Sequence, residues 1–149
     1  MKKEFVMRGQ TASDTEEVLN FSGYKPGYAY RMTEFEIYPS VNLGGNAYEL
    51  HASVTAAKTF EDPTNPDFNN EGLIAVAMME DNVAAHEGIS SKSIINNTFL
   101  ITQNLILKVV DAHPGAPMAV NWQCRFESVK MTGPEEAAVN YKQFAISDE

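Results

Sequence analysis

Residues 47–56 read Ala-Tyr-Glu-Leu-His-Ala-Ser-Val-Thr-Ala, and apolar and polar side chains alternate along this stretch. A period of two places the apolar side chains on one face of a β-strand and the polar side chains on the other face. One face is therefore predicted to lie on a hydrophobic core while the other meets water. This pattern is typical of antiparallel sheets, which commonly have one buried and one solvated face.

Comparable patterns recur along the chain, separated by Gly, Pro, Asn and Asp residues that favour turns. The sequence therefore predicts an all-β protein, a two-sheet antiparallel sandwich of jelly-roll-like form with about eight strands. The other predicted strands are residues 4–8, 16–21, 28–38, 73–79, 98–103, 105–111 and 120–131.

The apolar pattern changes phase inside residues 28–38, where it moves from even positions up to Met32 to odd positions from Phe35 onward. One face can accommodate this change only with a bulge or a bend. The same change occurs in residues 120–131, so both strands are predicted to bend. The residues at 43–46 tolerate positive φ, which favours a hairpin between residues 28–38 and 47–56.

Helical signals are confined to the C-terminal region. Thr132 and Glu135 have the spacing of a capping box, which predicts one short helix there. Residues 143–149 are predicted to form an extended polar tail after it. Gly88 and the neighbouring serines favour an ordered loop over residues 81–95.

Length and charge limit the function classes. The chain has 149 residues, the size of one domain, and we predict a single domain over residues 1–149. Eleven basic residues against twenty acidic residues give a net charge of −9, which opposes binding to nucleic acid or to an anionic membrane. We also expect no signal peptide and no membrane-spanning segment, because no apolar run approaches the roughly twenty residues that a spanning helix needs.

The acidic connection at residues 59–71 offers a candidate cation site. Residues 67–72 resemble the opening of a calcium-binding EF-hand loop, but Met78 occupies the position where a bidentate Glu is needed. A different calcium site remains an alternative to an ordinary solvated loop, which the sequence favours. Its candidate ligands are Asp62, Asp67, Asn69 and Glu71.

Histidine spacing does not favour a catalytic metal. A cupin-type site on a barrel of this class needs two histidines separated by one residue, whereas Glu49 and Ser53 stand at those positions around His51. His86 and His113 lie far from it in sequence. A cupin-like metal enzyme is therefore the less favoured alternative, and no cofactor is predicted.

Three aromatic residues keep a second alternative open. Tyr24, Tyr28 or Trp122, together with the acidic connection, could bind sugar in a carbohydrate-binding β-sandwich module, although the core phase of the neighbouring residues favours packing for Tyr28 and Trp122. Cys124, the single cysteine, lies in the same core phase and is predicted to be a buried, inert thiol.

Four apolar residues in polar surroundings are candidate interface residues. Phe60 and Phe68 lie in the acidic connection, and Phe144 and Ile146 lie in the predicted tail. The tail residues dock either on their own domain or on a neighbouring copy, and the sequence leaves both alternatives open.

Three segments carry a family resemblance: Met-Arg-Gly-Gln-Thr-Ala-Ser at residues 7–13, Asn-Thr-Phe-Leu-Ile-Thr-Gln at 97–103 and Asn-Trp-Gln-Cys-Arg-Phe-Glu at 121–127. Together they resemble small β-rich virion proteins of marine bacteriophages, over nearly the whole chain. The resemblance implies a sandwich subunit that sits in many copies on a capsid or tail, as cement and decoration proteins do. It implies no catalytic residues.

The resulting expectation is a non-enzymatic phage virion structural protein, a capsid cement or decoration subunit. Its expected partners are further copies of the chain, in a trimer, and the major capsid protein or other virion proteins. Its expected location is the virion, after assembly in the host cytoplasm.

Overall fold

The structure is a computed structural model that describes residues 3–21, 25–41, 47–81 and 89–147. These residues form eight strands and one helix, which confirms the predicted all-β class with a C-terminal helix. The elements are β1 (Glu4–Thr11), β2 (Thr15–Leu19), β3 (Tyr28–Pro39), β4 (Tyr48–Thr55), β5 (Leu73–Asp81), β6 (Ile89–Ile95), β7 (Leu105–Asp111), β8 (Val120–Lys130) and α1 (Gly133–Ser147).

The strands form two antiparallel sheets. The small sheet has the order β1-β8-β3, and the large sheet has the order β2-β7-β4-β5-β6. The pairs β1–β8, β2–β7 and β4–β5 arise when one long hairpin is rolled into two layers, which is the jelly-roll arrangement. The predicted jelly-roll-like sandwich is therefore confirmed, with the difference that β6 pairs with β5 and not with β3.

The predicted bulge is present in β3. Met32 lies opposite Phe126 and Glu34 lies opposite Arg125, so Thr33 is the extra residue. The Thr33 hydroxyl donates a hydrogen bond to the Arg125 carbonyl at 3.3 Å. The register of β8 against β1 is continuous from Val120 to Glu127, so β8 has no bulge there and the extra residue of the β3–β8 pair lies in β3.

The predicted hairpin between β3 and β4 is also wrong. β3 pairs with β8 in the small sheet, whereas both edges of β4 are occupied by β5 and β7 in the large sheet. Alternation predicts which face of a strand is buried, but it does not tell which strand lies beside it. The predicted turn at 43–46 lies outside the described residues.

Two other predicted segments differ from the structure. Residues 98–103 do not form a strand, since only Ile101 makes a β-bridge, to Tyr30. The Gln143 side chain accepts a hydrogen bond from the Thr102 amide at 2.9 Å and donates one to the Leu100 carbonyl, which replaces a neighbouring strand. Residues 89–95 form strand β6 where an ordered loop was predicted, while 82–88 lie outside the described residues.

Helix α1 is longer than predicted. The Thr132 hydroxyl accepts a hydrogen bond from the Glu135 amide at 3.4 Å and lies 2.9 Å from the Glu135 carboxylate, so the predicted capping interaction is confirmed. The helix continues through Ser147, so residues 143–147 are helical and the predicted extended tail is wrong. Gln143 and Ile146 are 1% and 5% exposed, which anchors the helix on its own domain.

The core lies between the two sheets. Val120, Trp122, Cys124 and Phe126 of β8 point inward and are buried, as the sequence pattern predicts. In the described part of the chain, no helix combines the length and the apolar character that crossing a membrane requires.

Candidate functional site

The acidic connection between β4 and β5 folds back over the outer face of the large sheet. The Ser53 hydroxyl donates to the Glu61 carbonyl at 2.6 Å, and the Thr55 hydroxyl donates to the Thr59 carbonyl at 3.1 Å. Both β4 side chains are fully buried although they stand on the polar face of the strand. The connection is therefore packed against the sheet along its first residues.

Carboxylates hold the connection in shape. Glu61 accepts hydrogen bonds from the Asp67 amide and the Asn70 side-chain amide, both at 2.7 Å. Asp62 accepts from the Thr64 hydroxyl at 2.7 Å and from the Thr64 amide at 3.0 Å. These bonds from Thr64 stabilise the charged form and lower the pKa of Asp62 below its ordinary value.

The predicted calcium ligands do not converge. Asp67 accepts a hydrogen bond from the Asn69 amide at 2.9 Å, as Asp62 does from Thr64, so these carboxylates cap local turns. Among the described residues, no three Asp, Glu, His or Cys side chains form a group that could hold a metal ion. The structure therefore does not bring Asp62, Asp67, Asn69 and Glu71 together as a cation site.

Phe60 makes an intramolecular contact. The Lys108 ammonium lies 4.2 Å from the centre of its ring, and the same ammonium pairs with the Asp14 carboxylate at 3.1 Å. Lys108 is only 7% exposed, so the contact with the ring is partly desolvated. Phe60 remains 40% exposed, but one part of it fastens the connection to β7.

A mostly apolar groove lies where the connection meets strands β5 and β6. We call it the β6 groove; its cavity is about 210 Å³, and its apolar lining includes Pro63, Pro66, Val76, Met78 and Ile94. A second cavity of about 410 Å³ continues past Val76 and Ile94 to Phe68. Phe68 is 60% exposed and Ile94 is 44% exposed, so this surface presents large apolar side chains to solvent.

The two interface candidates on α1 differ from each other. Ile146 is a core residue, so of the two alternatives that the sequence left open, the structure shows docking on its own domain. A Cβ added to Gly72 would lie 2.8 Å from Cγ2 of Ile146, which shows how closely the helix packs on the start of β5. Phe144, on the opposite side of the helix, is 63% exposed.

The candidate catalytic residues are dispersed. His51 contacts the Glu49 carboxylate at 2.8 Å, whereas the His113 amide bonds to Asp111 at another part of the large sheet. His86 lies outside the described residues. Cys124 is buried, and this burial raises the pKa of its thiol, which opposes formation of a nucleophilic thiolate.

The predicted sugar-binding aromatics are not arranged as a platform. Trp122 is 8% exposed, and its indole N–H donates to the Thr11 hydroxyl at 2.9 Å. Tyr28 is half-buried with the Lys25 ammonium 5.3 Å from its ring centre, and Tyr24 lies outside the described residues.

A polar groove of about 630 Å³ on the outer face of the small sheet was missed by the sequence analysis. Tyr38 is 61% exposed there, and Arg8, Glu36, Asn121 and Gln123 line the groove beside it. The phase change in β3 was a usable signal, because it places Phe35 and Ile37 inward and therefore Tyr38 outward.

Comparison with known proteins adds no family to these observations. No model of a protein family matches the chain, and a search of curated proteins finds no match to it.

Proposed function

We propose that this protein is a non-enzymatic structural subunit of a phage virion, of the capsid cement or decoration type. The β6 groove with the neighbouring Phe68 carries the proposal. Large exposed apolar side chains next to each other mark surfaces that bind another protein. A cement subunit needs such a surface, because it holds a shell together by burying apolar area against the capsid.

The way in which this surface is built supports the proposal. The connection that carries Phe68 is fixed by Glu61 and by the contact of Phe60 with Lys108, so the ring is presented on an ordered support. A preordered surface loses less conformational entropy on binding than a disordered one. The sandwich then acts as a rigid carrier of a docking loop.

The proposed partners are the major capsid protein and further copies of the chain, in a trimer on the virion surface. Because each copy has a net charge of −9, copies of the chain repel each other at long range. An interface between copies therefore has to be stabilised by buried apolar area or by local pairs of opposite charge. No cofactor is part of the proposal.

Quantitative mass spectrometry of purified virions tests the location directly. Virions of the phage that carries the gene should contain many copies of the protein per particle. Its absence from purified particles would reject the proposal.

Decoration of particles that lack the protein tests the surface. Phe68→Ser should weaken binding to such particles by roughly tenfold or more, because burying a Phe side chain contributes about 1.5–3 kcal/mol. Tyr141→Ser is the matched control, since Tyr141 is 75% exposed on α1. Equal binding by wild type and Phe68→Ser would place the contact elsewhere.

The outer groove of the small sheet favours carbohydrate binding as a second candidate function. Tyr38 offers an exposed ring for stacking, while Asn121 and Gln123 offer amides that can bond to sugar hydroxyls. Arg8, Glu36 and Gln123 add charged and amide groups to the lining of the same groove, and these groups can also bond to sugar hydroxyls.

A glycan array distinguishes this candidate. Binding that Tyr38→Ala abolishes and Tyr28→Ala leaves unchanged would support a sugar site in this groove. An array without any bound glycan would remove the candidate and leave the virion proposal as it stands.

A further inference from the structure

Helix α1 carries apolar residues on both of its sides. Gln143 and Ile146 hold the inward side on the sandwich. On the outward side, Tyr141 is 75% exposed and Phe144 is 63% exposed. A surface helix of a globular protein normally has polar residues on its outward side. Two large exposed rings on that side therefore mark a surface that binds another molecule.

The outward side of α1 has the spacing of a helix-packing seam. Residues three and four positions apart lie along one stripe of a helix. We call this stripe the α1 seam; its exposed members are Pro134, Ala138, Tyr141 and Ala145. All four are apolar, and they follow one another at intervals of four, three and four positions. This is the spacing at which two helices pack side by side.

The two flanks of the α1 seam differ in character. One flank carries Glu135 and Lys142, and the other carries Ala137 and Phe144. The members of each flank are seven positions apart, so each flank has one residue near either end of the seam. The first flank thus has opposite charges at its two ends, and the second has a small residue at one end and a large one at the other.

A second copy of α1 is complementary to the seam when the two helices run antiparallel. Tyr141 of each copy then lies opposite Ala138 of the other copy. In the same way, Ala145 of each copy lies opposite Pro134 of the other. The large ring therefore meets a small residue in both copies, which allows the two helices to pack closely.

The flanks are complementary in the same arrangement. A twofold axis perpendicular to the helices reverses their direction but keeps each flank against the same flank of the other copy. Glu135 of each copy therefore lies beside Lys142 of the other, which gives two pairs of opposite charge. Phe144 of each copy lies beside Ala137 of the other. The dipoles of antiparallel helices also attract each other.

A parallel arrangement lacks this complementarity. It places Tyr141 against Tyr141 and Ala138 against Ala138, so two large rings compete for one layer and a gap remains in the next. It also brings the like ends of the two helix dipoles together. The seam therefore selects the antiparallel contact over the parallel one.

We propose that copies of this chain form a twofold dimer through antiparallel packing of the α1 seam. This inference goes beyond the proposed function, because it assigns a contact between copies to a surface other than Phe68 and the β6 groove. A twofold contact joins only two copies. It therefore connects copies of neighbouring trimers and does not build the trimer itself.

The dimer is expected to be weak in dilute solution. Two helices of about four turns bury less than the roughly 1,200 Å² that stable complexes bury at minimum. The net charge of −9 on each copy adds long-range repulsion. Dimers should therefore form only at micromolar or higher concentrations. Tyr141 remains an exposed residue in dilute urea denaturation and in decoration at low occupancy, where copies do not touch.

Sedimentation velocity of the full chain over a concentration series tests the contact. Wild type should show an equilibrium between monomer and dimer. Tyr141→Ser should weaken association by about tenfold or more, because the dimer loses two rings from its seam. Lys142→Glu and Glu135→Lys should each weaken it by about tenfold, because each reversal turns both charge pairs into like pairs.

A mixture of the two charge variants tests the pairing of the flanks. Lys142→Glu and Glu135→Lys mixed in equal amounts should associate within about threefold of wild type, because each pair again joins opposite charges. Lys130→Glu is the matched control, since it makes the same change in net charge at an exposed position of β8. It should leave association unchanged, and circular dichroism should show the same β-rich spectrum for all variants.

Three results would overturn the inference. They are a wild type that stays monomeric at every concentration, association that Tyr141→Ser leaves unchanged, and a mixture that associates as weakly as its two components. The presence of the protein in virions is measured separately, so the dimer can fail while the proposed function stands.

Discussion

The connection at residues 59–71 and the C-terminal part of helix α1 both contain candidate interface residues, yet the fold holds the two segments in different ways. Surface carboxylates hold the connection, with Glu61 and Asp62 each accepting two hydrogen bonds from it. Buried side chains hold the helix, with Gln143 bonded to residues 100 and 102 and Ile146 in the core.

This difference separates a structural element from an adaptable surface. Burial of a large apolar side chain contributes more to stability than an exposed hydrogen bond does, because water competes for the exposed one. The helix is therefore expected to be part of the cooperative fold. Substitutions in the connection are expected to lower the free energy of unfolding only moderately, and such tolerance is typical of a loop that binds another molecule.

The largest expected effect is on the helix. Ile146→Ala should lower the free energy of unfolding by about 2–4 kcal/mol, because it removes a buried side chain and leaves a cavity against Gly72. Urea denaturation measures it. The control Tyr141→Ala, at an exposed position of the same helix, should cost less than about 1 kcal/mol. Equal losses for the two variants would contradict the anchoring of α1 through Ile146.

The next effect concerns the connection. Glu61→Ala should cost about 1–2 kcal/mol, because the Asp67 amide and the Asn70 side chain lose their acceptor. Hydrogen exchange at the Asp67 amide should become faster, while Glu71→Ala should leave it unchanged. Unaltered exchange in Glu61→Ala would show that the carboxylate does not hold the connection.

A smaller effect is expected at the start of α1. Thr132→Ala should cost about 1 kcal/mol, because the Glu135 amide loses its capping oxygen. Thr132→Ser keeps that oxygen and should remain close to wild type. Equal stability of the two variants in thermal unfolding would exclude a capping contribution.

The smallest expected effect depends on pH. The pKa of Asp62 is lower in the folded state than its ordinary value of 3.8. Its contribution to the free energy of unfolding is therefore complete above pH 3.8 and is lost as the pH falls through the lower pKa of the folded state. The contribution should stay below about 0.5 kcal/mol because the carboxylate is exposed and water screens it. NMR titration of the Thr64 amide should report a midpoint below 3.8, while the amides of α1 around Gln143 do not shift. A midpoint at or above 3.8 would contradict the role of Thr64.

Much of the fold was predictable because alternation is a local property. The pattern of Tyr48, Leu50, Ala52 and Val54 is buried as predicted, and the phase change near Met32 marks the observed bulge. Which strands pair with each other was less predictable. β3 pairs with β8 through backbone hydrogen bonds, and nothing in the sequence of β3 identifies β8 as its neighbour.

The candidate site was predictable only in part. Phe68 stood out as an apolar residue among polar ones, and it is exposed. The burial of Ser53 could not be foreseen, because a hydroxyl on the polar face of a strand is covered only when a distant segment folds over it. The same holds for Ile146, whose partners at the start of β5 are remote in sequence.

The sequence by itself determined the strands other than β6, where β3 bulges and where α1 begins, because these features depend on neighbouring side chains and on local hydrogen bonds. The tertiary structure alone decided that β6 joins β5 and that the connection covers β4. These features follow from packing among distant segments, and the free energy of such packing belongs to the assembled sandwich and not to any single stretch of chain.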